Sequence, residues 1–126
     1  MNKSNGLRKL ALIVDDEPRI GKILCLKLKL CGYHVISCTS GVEALDIIRE
    51  QQPDVVLLDL LMPEMDGLEV LERVRTFSSI PIIVFTARPE GIEKAMRLGA
   101  NGSLTKPFNP DQLVEKVRLI LGTNGD

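Results

Sequence analysis

No apolar run in this chain approaches the roughly 20 residues that a helix needs to cross a bilayer. The longest stretches free of charge and of turn residues, such as Leu10–Val14 and Val55–Leu58, are far shorter. An export signal is missing too: the basic residues before Leu10 are followed by no sustained apolar segment, because Asp15 and Asp16 interrupt it. Charge of one sign is not in excess. Sixteen basic residues face seventeen acidic ones, a formal charge of −1, which excludes the basic surface that nucleic-acid binding needs. Cys25, Cys31 and Cys38 are odd in number and form no C-x-x-C, so a disulfide framework is excluded and a reducing compartment fits better. The one histidine, His34, has no second histidine to complete a metal site. The expectation is a cytoplasmic protein with neither a membrane nor a nucleic acid as partner.

What remains is enough for one compact domain. A chain of 126 residues, 44% hydrophobic, can bury roughly two-thirds of its unfolded surface and fold without staples. The domain is expected over residues 8–122, with 1–7 and 123–126 as loose ends.

Three short apolar runs stop abruptly at polar residues. Leu10–Val14 ends at Asp15 and Asp16, Val55–Leu58 at Asp59, and Ile80–Phe85 at Thr86. Runs this short and rich in Val and Ile fit strands buried on both faces of a parallel sheet. His34–Cys38 and Gly102–Thr105 are weaker candidates. Helical patterns lie between them. Ile20, Ile23, Leu24 and Leu28 share a face, with Gly32 as a stop. Ser40 and Glu43 form a capping box before Val42, Leu45 and Ile48. Leu68, Leu71 and Val74 mark a third helix, and Ile92, Ala95, Met96 and Leu98 a fourth, closed by Gly99. Asn109 caps a fifth, with Pro110 in its first turn and Leu113, Val117, Ile120 and Leu121 on its apolar side. Strands alternating with single helices predict an α/β fold, (βα)5, with a doubly wound five-stranded parallel sheet and helices on both faces, a three-layer sandwich.

In such sheets ligands bind beyond the carboxyl ends of the strands. Asp15 and Asp16 follow the first strand, Asp59 the third, Thr86 the fourth and Lys106 the fifth. Three carboxylates brought together repel one another unless a cation neutralises them. An all-oxygen donor set with room for water suits Mg²⁺ or Mn²⁺ better than Zn²⁺. A divalent cation beside a carboxylate nucleophile, a hydroxyl and a lysine is equipment for phosphoryl transfer. Alone, each piece has a plainer reading. Asp15-Asp16 before Pro18 is a turn into a helix, Asp66-Gly67 is another turn, and a single surface lysine is a solvated charge. Cys25 and Cys31 read as small thiols on the first helix, and Lys22, Lys27 and Lys29 as its solvated face.

The segments Val14-Asp15-Asp16-Glu17, Asp59-Leu60-Leu61-Met62-Pro63-Glu64-Met65-Asp66-Gly67, Thr86-Ala87-Arg88 and Leu104-Thr105-Lys106-Pro107-Phe108, in this order, resemble the receiver domain of two-component response regulators, the CheY-like family with a flavodoxin-like fold. The resemblance implies that Asp59 accepts a phosphoryl group from a sensor histidine kinase or phosphotransfer protein. It further implies that Asp16, Asp59 and the backbone carbonyl of Leu61 bind the metal, with Asp15 acting mainly through water. Thr86 and Lys106 then stabilise the phosphoryl group, and Pro107 follows a cis peptide bond. A receiver catalyses only its own phosphorylation and dephosphorylation and is not an enzyme in the ordinary sense. Its output domain or partner is not named by the sequence, and the fourth and fifth helices could pair in a homodimer.

Two departures from the family pattern stand out. Ser103 occupies the position of the usual switch aromatic, which implies an atypical readout. The segment from Thr86 to Gly99 is about two residues shorter than is common. Leu61 and Arg88, each two residues past a site residue, should set the lifetime of the phosphorylated form: an apolar Leu61 cannot orient a water, and Arg88 would shield the group. Two other classes stay in view. A small aspartyl-phosphate phosphatase would carry a second acid at position 61 and a substrate cap, and neither is present. An interaction domain that has lost phosphorylation would not need all five site residues.

Overall fold

The computed structural model describes residues 8–122; the ends read as loose, 1–7 and 123–126, lie outside the described residues. Ten elements alternate: β1 (Leu10–Val14), α1 (Pro18–Leu30), β2 (His34–Cys38), α2 (Gly41–Gln51), β3 (Val55–Asp59), α3 (Gly67–Val74), β4 (Ile82–Thr86), α4 (Glu90–Arg97), β5 (Gly102–Thr105) and α5 (Pro110–Leu121). The five strands form one parallel sheet in the order β2-β1-β3-β4-β5. Strand order reverses between β1 and β3, so the crevice at their carboxyl ends is the topological switch point.

Alternation along the strands divides the core in two. Leu12, Val14, Val56, Leu58, Ile82 and Val84 meet Ala44, Ile48, Val70, Leu71, Val74 and Ala95 of α2, α3 and α4. Ala11, Ile13, Val55, Leu57, Ile83 and Phe85 meet Leu24, Leu28, Leu113 and Val117 of α1 and α5. The central strands β3 and β4 are buried throughout. β2 and β5 are the sheet edges and only partly covered, the physical reason their sequences carry a weaker strand signal.

Several expectations need correction. Ile23, Val42 and Met96, placed on apolar helix faces, are exposed by 56%, 57% and 42%. A two- or three-residue spacing pattern fixes a face only to within one helix position, and each of these falls just past the edge of its buried stripe. Val70, unmarked in the sequence, is fully buried instead. β4 begins at Ile82, because Ile80 and Pro81 lead into the strand. Glu17 is the N-cap of α1, without a side-chain cap hydrogen bond. Cys31 is not a buried helical thiol but an exposed C-cap. At α2, Ser40 Oγ accepts from Glu43 N as expected, yet the Glu43 carboxylate accepts from Thr39 N and from the Ser40 hydroxyl rather than from the Ser40 backbone N–H. The Asn109 cap with Pro110 in the first turn is present, reinforced by Gln112.

Candidate functional site

Parallel register assembles the site. Val14 pairs with Leu58, so Asp15 and Asp59, each one residue further on, stand side by side. Asp59 pairs with Phe85, and Thr86 with Thr105, which sets Lys106 just beyond. The amide of Lys106 donates to the carbonyl of Thr86 at 2.7 Å and anchors this loop, and the Lys106–Pro107 peptide bond is cis. Each strand end is then turned by the same device: a side-chain oxygen accepts the N–H two residues ahead. Asp15 Oδ1 accepts from Glu17 at 2.8 Å, Asp59 Oδ1 from Leu61 at 3.0 Å and Thr86 Oγ1 from Arg88 at 3.1 Å. One oxygen of each carboxylate is thereby committed to its loop, and the other is free to face the crevice.

Those second oxygens carry the electrostatics. Lys106 Nζ donates to Asp59 Oδ2 at 3.2 Å and stands 3.8 Å from Asp15 Oδ2. Asp15 Oδ2 is buried and has no hydrogen-bond partner among the described residues. Burial pushes the Asp15 carboxyl up to about 6, opposed by the bond from Glu17 and raised further by the Asp59 charge, while Lys106 pulls it down. One carboxylate oxygen from each of Asp15, Asp16 and Asp59 lies within 4.8 Å of the other two. An orphaned buried acceptor inside a three-carboxylate cluster fits a small, hard divalent cation, and the absence of nitrogen and sulfur donors disfavours zinc.

The loop between β3 and α3 folds back onto this site. Gly67 N donates to Leu60 O at 3.0 Å, and a Cβ on Gly67 would collide with the carbonyl oxygen of Asp59 and stand 2.6 Å from Leu60 Cα. Only glycine fits there. Asp66 caps α3 through Glu69 N. Leu61 is 45% exposed and lines, with Thr86, Arg88, Met62 and Gly91, a cleft of about 570 Å³ beside the carboxyl end of β3. Ser103 is on β5 opposite Val84, two pairing steps before Thr86–Thr105, outside the acidic cluster. α4 is short, eight residues, and starts after Pro89 with no side-chain cap. His34 is exposed at the start of β2, on a sheet edge. Lys27 pairs with Asp111 across α1 and α5.

One neighbour escaped the sequence reading. Phe85, fully buried, lies with its ring 5.2 Å from Lys106 Nζ, and Phe108 packs against it edge-on at 5.9 Å between centroids. Its signal in the sequence was its place directly before Thr86, in a chain with only three phenylalanines.

Among the described residues no helix is long and apolar enough to cross a membrane. The profile of the response regulator receiver domain matches residues 11–118. The "probable transcriptional regulator ycf27" of Guillardia theta is 41% identical over 112 residues, 87% of this chain and 44% of that protein. Its namesake in Cyanidium caldarium is 41% identical over 122 residues, 95% of this chain and 49% of that one. The chain thus spans about half the length of the curated relatives it matches. Among solved structures, a CheY-like response regulator receiver domain protein from Methanospirillum hungatei is similar at 30% identity and TM-score 0.85, covering 91% of this chain and 94% of that one. Response regulator protein TrrA from Thermotoga maritima, solved in complex with Mg²⁺-BeF, is similar at 35% identity and TM-score 0.82, covering 89% and 98%.

Proposed function

This chain belongs to the response regulator receiver domain family, and on that footing we propose that it takes a phosphoryl group from a partner's phosphohistidine onto Asp59 and signals through the change that follows. The observation that carries this reading is the orphaned Asp15 Oδ2 beside Asp59 and Lys106: a buried acceptor and a paired cation set around one carboxylate are what an incoming phosphoryl group and its counter-ion require. Asp15, Asp16 and Asp59, with the carbonyl of Leu61, would hold Mg²⁺ or Mn²⁺. The ion, when bound, supplies positive charge that offsets the crowded carboxylates and the phosphoryl oxygens.

The chain's own residues do the rest. An Asp59 carboxylate oxygen forms the new O–P bond as the N–P bond of the phosphohistidine breaks and its imidazole leaves. Lys106 moves its ammonium from the Asp59 carboxylate to the transferred group. Thr86 Oγ1 turns from Arg88 N to meet a phosphoryl oxygen, which frees the loop leading into α4. With Ser103 on β5 there is no ring to follow that movement, so the readout passes through the loop and α4 rather than through an inward-turning aromatic. Leu61 offers no group to orient a hydrolytic water, and Arg88 overhangs the cleft, so the phosphorylated form persists. The protein is not an enzyme in the ordinary sense, because it modifies its own side chain. Its partners are a sensor histidine kinase or phosphotransfer protein and an output domain or protein, in the cytoplasm.

The test is intact-protein mass spectrometry after incubation with acetyl phosphate and Mg²⁺. Wild type gains one phosphoryl group, and Asp59→Asn or omission of the metal abolishes the gain. No gain in wild type, under conditions that label another receiver, would replace this reading with a phosphorylation-independent interaction domain.

A further inference from the structure

We infer that Phe85 is a positioning residue for Lys106: its ring face, braced by Phe108, holds the lysine ammonium at the meeting point of Asp15 and Asp59. The inference rests on the phosphoryl-capture reading for its functional consequence and on geometry for its substance. Lys106 sits at the end of a flexible four-carbon stem, and an ammonium on such a stem has many low-energy positions. Two attractions visible here restrict it from the carboxylate side, at 3.2 Å to Asp59 and 3.8 Å to Asp15. The third comes from behind, where the ammonium stands 5.2 Å from the Phe85 centroid, within reach of the ring's negative face.

This contact differs from incidental core packing in two respects. The Lys106 side chain is only 20% exposed, so water competes weakly for its charge, the condition under which a cation–π contact is strongest. Phe85 is itself immobilised. It is fully buried on a central strand, and the edge of Phe108, two residues past Lys106 in the same loop, meets it at 62° between ring planes. An edge-to-face partner fixes the ring plane, and with it the direction from which the ammonium is attracted. When the phosphoryl group arrives, Lys106 leaves Asp59 for a phosphoryl oxygen. A platform that moves with neither group keeps the ammonium in the crevice during that exchange, and it counts for more once Asp59 no longer holds Lys106, so the contact favours the phosphorylated state over the free one.

Phe85→Leu would leave a cavity in the core and so confounds packing with charge. The decisive series replaces Phe85 site-specifically by mono-, di- and trifluorinated phenylalanine, which withdraw electron density from the ring face at nearly constant shape. Two quantities are read: affinity for beryllofluoride in the presence of Mg²⁺, and the NMR shift of the Lys106 ε-methylene protons in metal-free protein. The same substitutions at Phe77, near the opposite edge of the sheet, serve as control. The expected result is a stepwise loss of beryllofluoride affinity reaching about 3- to 10-fold, with a parallel displacement of the Lys106 signal and no change in the Phe77 series. A flat affinity series on a stably folded protein overturns the inference. If unmodified protein binds no beryllofluoride, the capture reading fails instead. The Lys106 signal then decides the inference alone: displacement upholds the ring contact and an unmoved signal rejects it.

Discussion

The two ends of the same sheet treat buried charge in opposite ways. At the amino-terminal edge, Arg75 lies partly buried and makes no ion pair among the described residues, yet its guanidinium donates four hydrogen bonds. Nε and Nη2 donate to Gly99 O at 3.2 and 2.8 Å, Nη1 to Ser78 O at 3.1 Å and Nη2 to Asn101 Oδ1 at 3.0 Å. Asn101 Oδ1 also accepts from Ile82 N at the start of β4. Gly99 leaves room for this: a Cβ there would stand 2.9 Å from Arg75 Nε. On the same edge Asp54 Oδ2 accepts from Leu10 N at 2.8 Å and stitches the start of β1 to β3. At the carboxyl-terminal edge three carboxylates crowd together, and one buried oxygen has no hydrogen-bond partner among the described residues. Saturated polar groups stabilise a fold, whereas unsatisfied ones are kept at a cost. The first edge holds the domain together, and on the proposed reading the second holds a site open for a ligand.

That contrast can be broken by exchanging what each edge does. The largest effect on stability is expected from Arg75→Ala, which strands the Gly99 and Ser78 carbonyls and loosens the turn from α4 to β5. A loss of about 2–3 kcal/mol in urea unfolding is expected, with the extent of Asp59 labelling by acetyl phosphate unchanged in the folded protein. Labelling that falls with stability would erase the division between the edges.

A pH titration sharpens the same point. The folded Asp15 carboxyl holds its proton to about pH 6 against an ordinary 3.8, so between those values the folded state binds more protons than the unfolded chain. Metal-free stability therefore falls as pH rises through that window and stays reduced above it. Mg²⁺ affinity follows the opposite course, weakening as pH drops below 6 and the ion competes with the proton. Calorimetric titration across pH 5 to 8 checks this; a flat affinity would contradict it. The smallest effect is expected from Leu61→Asn, which gives the exposed position a polar group to orient water. It should shorten the phosphorylated form's half-life by a few-fold, measured by loss of label, and an unchanged half-life would remove Leu61 from control of lifetime.

Much of the site was legible because of where its residues stand. Asp15, Asp59 and Thr86 each end an apolar run, and a parallel sheet brings such endings to one edge, so spacing alone was enough to gather them. Lys106 was legible at the end of the weaker fifth strand, a half-covered edge, and its motif pointed to the same place. What could not be read depends on contacts between distant segments. Arg75 is a charged residue in a helix-end sequence like many others, and its partner Gly99 is 24 residues away. Phe85 reads as one more core residue, and nothing local shows that its ring faces an ammonium. Ile23, Val42 and Met96 show the same limit in reverse: apolar spacing marks a helix, but the width of its buried stripe is set by the neighbours it packs against.

On the proposed reading, the carboxyl-terminal edge gives up stability to keep a cation site. The most direct measurement is the thermal unfolding temperature of wild type and Asp15→Asn at neutral pH, each with and without Mg²⁺. The neutral amide keeps an oxygen for Glu17 N and removes the buried charge. The account predicts that the variant melts above wild type without metal, and that Mg²⁺ raises wild type alone. A variant that melts below wild type, or that gains as much from Mg²⁺, would contradict it.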